Sequence, residues 1–182
     1  LPGPTSIERE VQRRLLLKAP FAFAYLDLDN LKAYNDYYGF AKADGVIRQT
    51  ADLLREIFTL HGDPGDFLGH VAGDDFVFIA DPQSVDAVCQ KAIEAFDRAI
   101  PLYYDRGDRE RGYIETDDRF GEKRRFPIMS VSVVAVMADG REDHAALAKH
   151  AAELKKRAKA VVGSVYLRND RDRPGTPGAK IA

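Results

Sequence analysis

Cysteine is almost missing from this 182-residue chain: the one thiol, Cys89, lies in an apolar helical pattern and has no partner for an intrachain disulfide. That is consistent with a reducing compartment, and a cytoplasmic location is the expectation. An excess of one charge is missing too. The 27 Lys and Arg residues nearly balance 29 Asp and Glu, giving a formal net charge of -2 with both signs mixed along the chain. Such a balance makes no global electrostatic case for nucleic acid or a membrane surface as partner. No apolar run approaches the roughly 20 residues needed to span a bilayer, and the first residues lack the layout of a signal peptide. His61, His70, His144 and His150 do not fall at metal-ligand spacing, which speaks against a zinc site. No serine or cysteine has the supporting residues of a nucleophile.

What is present fits a globular domain. The chain is 45% hydrophobic and 31% charged, and long enough to bury a substantial core. Residues 1–168 read as one domain. Its abrupt opening, Leu1-Pro2-Gly3, looks like a domain cut from a longer chain. From Asn169 on, Arg-Asp repeats followed by Pro174-Gly175-Thr176-Pro177-Gly178 read as a flexible tail or linker over 169–182.

The patterning sets an order of elements. Thr5 and Glu8 suggest a capping box opening a helix to about Leu17. Phe21 to Leu28 is almost wholly apolar and reads as a buried central strand. Helices follow over about Asn30 to Tyr38 and Lys42 to Leu60, then a turn at Gly62-Asp63-Pro64-Gly65. Phe67 to Val71 and Phe76 to Ala80 are strands split by Ala72-Gly73-Asp74-Asp75, hence a hairpin. Val85 to Ile100 is an amphipathic helix, 127–138 a strand, Asp143 to Val161 a helix and Ser164 to Arg168 a last short strand. Between them the polar stretch Tyr103 to Phe126 suggests an inserted hairpin ribbon. The fold class expected is α/β in the α+β sense: a mixed, largely antiparallel central sheet flanked by helices.

The carboxylates carry the chemistry. Asp27 and Asp29 end the most apolar strand, and Asp74-Asp75 sits at the tip of the tight hairpin. If those strands pair, the two acidic clusters meet at one edge of the sheet. Like charges about 4 Å apart repel by roughly 4 kcal/mol per pair at an effective dielectric near 20. A fold that gathers them needs a counter-charge, and a hard divalent cation such as Mg²⁺ or Mn²⁺ supplies one. From spacing alone the alternative stays open, in which Asp27 and Asp29 cap the next helix and Asp74-Asp75 is turn chemistry.

A resemblance tips the balance. The run Asp27-Leu28-Asp29-Asn30-Leu31-Lys32-Ala33-Tyr34-Asn35-Asp36-Tyr37-Tyr38-Gly39, then Asp44, resembles the D-x-D-x-F-K-x-x-N-D-x-x-G-H-x-x-G-D signature of GGDEF diguanylate cyclases. Ala72-Gly73-Asp74-Asp75-Phe76 resembles the family's signature hairpin, and Leu1-Pro2-Gly3 its opening. Ser130-Val131-Ser132 and Ala158-Lys159 stand where two later motifs fall. The resemblance implies a nucleotidyl-cyclase, polymerase-palm-like fold and the condensation of two GTP into cyclic di-GMP by a homodimer. It further implies two Mg²⁺ or Mn²⁺ ions per site, held by Asp27, Asp74, Asp75 and the Leu28 carbonyl. Asp74, Asp75 and Lys32 would be catalytic, Asp75 completing the site or helping to deprotonate the 3′-hydroxyl. Asn35 and Asp44 would read guanine. Lys32, Lys159, Ala72 and Gly73 would contact the rest of the nucleotide, and an upstream receiver or sensor domain would supply regulation. Lys155, Lys156 and Arg157 read as a solvated helix face.

Four departures from the family pattern bear on activity. Ala72 replaces the first hairpin glycine, at a cost of about 1 kcal/mol if that position has positive φ. Asp75 is one methylene shorter than the usual Glu, and a shift of about 1 Å can cost on the order of 10²-fold in rate. The family's late arginine falls on Gly163, leaving Arg157 or Arg168 as substitutes. The R-x-x-D of the inhibitory product site is Asp63-Pro64-Gly65-Asp66, so that site is not intact and product inhibition through it is not expected. A degenerate domain that binds GTP or protein partners without turnover is the alternative function.

Overall fold

The computed structural model describes residues 1–117 and 121–169. Its central sheet has five strands in the order β2-β3-β1-β6-β7. These are β1 (Phe21–Asp29), β2 (Phe67–Ala72), β3 (Asp75–Ala80), β6 (Ser130–Ala138) and β7 (Val165–Arg168). The middle strand β1 runs antiparallel to both β3 and β6, whereas β6 and β7 are parallel. The parallel step needs a crossover, and the helix α6 (His144–Ala158) makes it. The sheet is thus mixed and largely antiparallel, as expected.

Helices cover both faces, which is why β1 is apolar on both sides. Period-two alternation sorts its residues. Ala22, Ala24, Leu26 and Leu28 pack with α2 (Leu31–Tyr38), α3 (Phe40–His61) and α4 (Val85–Ala99). Phe21 and Phe23 pack on the other face with Ile7 and Val11 of α1 (Pro4–Leu17) and with Leu147, Ala151, Leu154 and Ala158 of α6. The same alternation turns Asp27 and Asp29, two and four residues after Tyr25, to the α6 side. Slipping β1 by one residue would drive those acids into the α2–α4 core, so hydrophobic burial fixes where the carboxylates point.

Two details differ from the sequence reading. The helix α1 starts one residue before Thr5, with Pro4 in its first turn and Gly3 as N-cap, and no side chain caps it. Proline favours that first position because its ring presets φ, which pre-empts the Thr5–Glu8 capping box. The stretch 103–126 is also not all ribbon. A 3₁₀ turn, Ile100–Tyr103, and a short helix α5, Arg106–Arg111, precede β4 (Tyr113–Asp117) and β5 (Lys123–Pro127), which form a separate two-stranded sheet. Residues 118–120, in the turn between them, and the tail expected over 169–182 beyond Asn169, lie outside the described residues.

Candidate functional site

Cross-strand pairing builds the acidic cluster. Asp27 of β1 lies directly opposite Asp75 of β3 in the antiparallel ladder. The Leu28 amide donates to the Asp74 carbonyl at 3.1 Å, tying the hairpin tip to the end of β1. Asp27, Asp29, Asp74 and Asp75 therefore meet at one end of the sheet. At the tip, Gly73 has φ +53, the left-handed region that glycine adopts without strain. Ala72 does not share it, since the described non-glycine residues with positive φ are Lys18 and Asn30. Its methyl therefore carries no backbone penalty, and the feared cost at that position disappears.

Protein ammoniums, not bare repulsion, set the electrostatics. Lys155 Nζ bridges Asp27 Oδ2 and Asp75 Oδ1, 2.6 Å from each. Lys159, one turn further along α6, pairs with the other oxygen of Asp27 and with Asp29. Asp29 also accepts from Ser130 Oγ at 3.0 Å and from Ser132 Oγ, the serines singled out on β6. The result is a zipper in the order Asp75, Lys155, Asp27, Lys159, Asp29. Burial opposes the charge of each lysine, but the carboxylates outweigh it and hold both ammoniums above the usual lysine range. Asp27 is only 5% exposed, and the two ammoniums offset the cost of burying a carboxylate there.

Asp74 stands apart. Burial, then the neighbouring Asp27 and Asp75, raise its carboxyl above the usual aspartate range, against the pull of its own backbone amide and Lys159. Among the described residues no lysine or arginine forms an ion pair with it.

This arrangement qualifies one expectation and corrects another. A metal is not the sole counter-charge available, because Lys155 and Lys159 already balance Asp27, Asp29 and Asp75. Among the described residues no three His, Cys, Asp or Glu side chains form a ready-made cage. Lys155 is also not part of a solvated face. Its role escapes sequence reading because Lys155-Lys156-Arg157 looks like an ordinary basic run. The available signal was its spacing of four from Lys159, which puts both on one side of a helix.

The remaining candidates lie on α2 and α3. Lys32 pairs with Asp36 at 2.5 Å and Asp44 with Arg48 at 2.6 Å, each within its own helix, and Asn35 is partly exposed. Neither Lys32 nor Asp44 is drawn into the acidic cluster by an ion pair. Arg168 cannot replace the late arginine. It pairs with Asp86 of α4 at 2.6 Å, on the sheet face opposite α6, while Gly163 takes φ +83. In the turn Asp63-Pro64-Gly65-Asp66, Asp66 accepts from the amides of Asp63 at 2.9 Å and Asp81 at 3.0 Å. Burial raises its pKa despite those two bonds.

A divalent ion suits the donor set at one point. Lys155 Nζ already marks a position where a cation sits equidistant from two carboxylate oxygens. Carboxylate oxygens are the hard donors that Mg²⁺ and Mn²⁺ prefer, so Asp27 and Asp75 would suit such an ion.

The family profile described as diguanylate cyclase, GGDEF domain, matches residues 4–109, more than half of the chain. The chain belongs to the GGDEF family. Among sequence relatives of this GGDEF domain, an uncharacterised protein of Mycobacterium tuberculosis is 42% identical over 69 residues, 37% of this chain and 10% of that protein. A diguanylate cyclase of Vibrio cholerae is 30% identical over 70 residues, 38% of this chain and 21% of that protein. The matched segment is thus a small part of either relative. In three dimensions the GGDEF domain of DgcB from Caulobacter crescentus, solved in complex with c-di-GMP, superposes with a TM-score of 0.65. It is 16% identical and covers 92% of this chain and 91% of that one, a likeness of fold. No helix among the described residues of this GGDEF domain is long and apolar enough to cross a membrane.

Proposed function

We propose that this GGDEF domain is a diguanylate cyclase that condenses two GTP into cyclic di-GMP as a homodimer, each protomer presenting one nucleotide. The observation that carries the reading is the direct Asp27–Asp75 cross-strand pair beneath a hairpin tip tied to β1, in a chain of this family. Asp27, Asp74, Asp75 and the Leu28 carbonyl would hold two Mg²⁺ or Mn²⁺ ions. Bound there, the ions would stabilise charge on the attacking and leaving oxygens of an in-line transfer.

The chain's own residues do the rest. Asp74, with which no lysine or arginine among the described residues forms an ion pair, is the carboxylate most open to a new cation. Asp75 completes the site or takes the proton of the 3′-hydroxyl. Gly73, at the tip of the turn, and Ala72 let the backbone approach the phosphates without a bulky side chain. Lys159 and Lys32 neutralise phosphate oxygens. For Lys32 this means leaving Asp36, a cheap step for an exposed i,i+4 pair. Asn35 and Asp44 read guanine, whose N1–H and exocyclic amine suit a carboxylate, with Asp44 leaving Arg48. A cytoplasmic setting and an upstream receiver or sensor domain complete the reading.

The test is incubation of the dimerised protein with GTP and Mg²⁺ or Mn²⁺, followed by mass spectrometry of the products. Cyclic di-GMP from the wild type and a loss of at least about 10²-fold in Asp74→Ala are expected. GTP binding with no product would replace this reading with regulation without turnover.

A further inference from the structure

Of the zipper's two ammoniums, one has no role in that chemistry. Lys155 lies on α6, which packs on the sheet face opposite α2 and α3, where nucleotide recognition is placed, yet its ammonium sits between Asp27 and Asp75, two of the carboxylates that would hold a divalent ion. Resting on the cyclase reading, we propose that Lys155 is a place-holding cation. Its ammonium must leave the Asp27–Asp75 pair before a divalent ion can use both carboxylates, and the phosphate oxygens of the incoming nucleotide receive it.

Geometry lets the ammonium move while the helix stays. Leu147, Ala151, Leu154 and Ala158 anchor α6 against the sheet, so its backbone is fixed. The Lys155 side chain is 30% exposed and ends a flexible four-carbon stem. It passes beside Tyr25, with Nζ 5.7 Å from the ring centre. The charged groups facing the site come from three places: Asp27 and Asp29 on β1, Asp74 and Asp75 on the hairpin, and Lys155 and Lys159 on α6. Four carboxylates against two ammoniums leave a net charge of -2. Removing Lys155 makes the cluster more negative and frees two oxygens at once. Lys159 cannot do the same work, because it bridges Asp27 to Asp29 and leaves Asp75 untouched.

The exchange has two consequences of opposite sign. Lys155 weakens metal binding to the protein without nucleotide, because the ion must displace it. The same residue strengthens nucleotide binding without metal, because a triphosphate attracts the ammonium. A residue that merely stabilised the fold would not push the two affinities in opposite directions. Coupling between sites ordinarily spans about five- to 150-fold, which sets the scale.

The experiment compares wild type, Lys155→Met, Lys155→Gln and Lys155→Arg in the 182-residue chain. Mn²⁺ affinity is read by electron paramagnetic resonance without nucleotide, and affinity for a fluorescent non-hydrolysable GTP analogue is read in EDTA. Both neutral variants should bind Mn²⁺ about tenfold more tightly than wild type and the analogue about tenfold more weakly. Lys155→Arg should stay close to wild type in both. Equal Mn²⁺ affinity in wild type and the neutral variants, with the analogue still bound, overturns the place-holder and leaves the cyclase reading standing. Failure of every form to bind either Mn²⁺ or the analogue sinks the cyclase reading and this proposal with it.

Discussion

At the scale of single residues, the acids were legible and their partners were not. Asp27 and Asp75 advertise themselves because a carboxylate at the end of an apolar strand or at a hairpin tip needs a reason. Lys155 advertises nothing, since its place depends on how α6 crosses the end of the sheet. Ala72 shows the reverse error: the positive-φ position of the hairpin is Gly73, so the substitution one residue earlier is harmless. Asp66 gives a test at this scale. Its two oxygens satisfy the Asp63 and Asp81 amides, so the residue ties the turn before β2 to the residue after β3. Asp66→Ala strands both amides and should destabilise the fold by about 2 kcal/mol, read as a shift in urea midpoint at constant slope. Because the carboxylate is engaged by those two amides and Asp63 supplies no cation, c-di-GMP should not bind through this turn. Calorimetry showing tight c-di-GMP binding that Asp66→Ala abolishes would refute that account.

At the scale of elements, strand and helix identities followed hydrophobic period, and the miss fell in the insertion. Tyr103 to Arg111 was expected as ribbon but is 3₁₀ turn and helix, because a buried acid organises it from outside its own sequence. Asp108 on α5 is 5% exposed and accepts from Tyr38 Oη of α2 and from Arg111. Tyr38 Oη in turn accepts from the Asp105 amide at 3.1 Å, and Tyr34 Oη donates to the Tyr103 carbonyl at 2.6 Å. No local pattern reveals that knot, since its partners lie about 70 residues apart. Its effect is to fasten the insertion to α2, the helix of Lys32 and Asn35. Asp108→Ala removes the shared acceptor from a buried network and should cost about 3 kcal/mol in urea denaturation. Tyr38→Phe, which leaves Asp108 with Arg111, should cost about 1 kcal/mol. If Asp108→Ala melted like wild type, the insertion would not be fastened this way.

At the scale of the whole molecule, the mixed sheet was readable because each strand carried its own apolar run. The order β2-β3-β1-β6-β7 was only partly readable, since the parallel β6–β7 step is decided by α6 packing across the sheet. On the opposite face, the packing of α2, α3 and α4 buries phenols as well as aliphatics, which gives global stability an alkaline limit. Burial, followed by the nearby Asp105 and Tyr103, pushes the Tyr34 phenol up to about 12, and burial raises Tyr38 and Tyr104 as well. In the unfolded chain these groups ionise near pH 10. Below about pH 10 both states keep the Tyr34 proton and its contribution is fully present. Between about pH 10 and about pH 12 the unfolded chain loses the proton first, so unfolding releases it and stability falls as pH rises. Tyr34→Phe cannot ionise and, although less stable at neutral pH through loss of the bond to the Tyr103 carbonyl, should lose less of its remaining stability over that window. Lysine titration, including Lys155 and Lys159, acts on both proteins alike and cancels in the comparison. Urea midpoints measured at pH 9 and pH 11 for the two proteins decide the matter: a drop in wild type larger than in Tyr34→Phe is expected. Equal drops would mean that the buried phenol ionises without unfolding the domain.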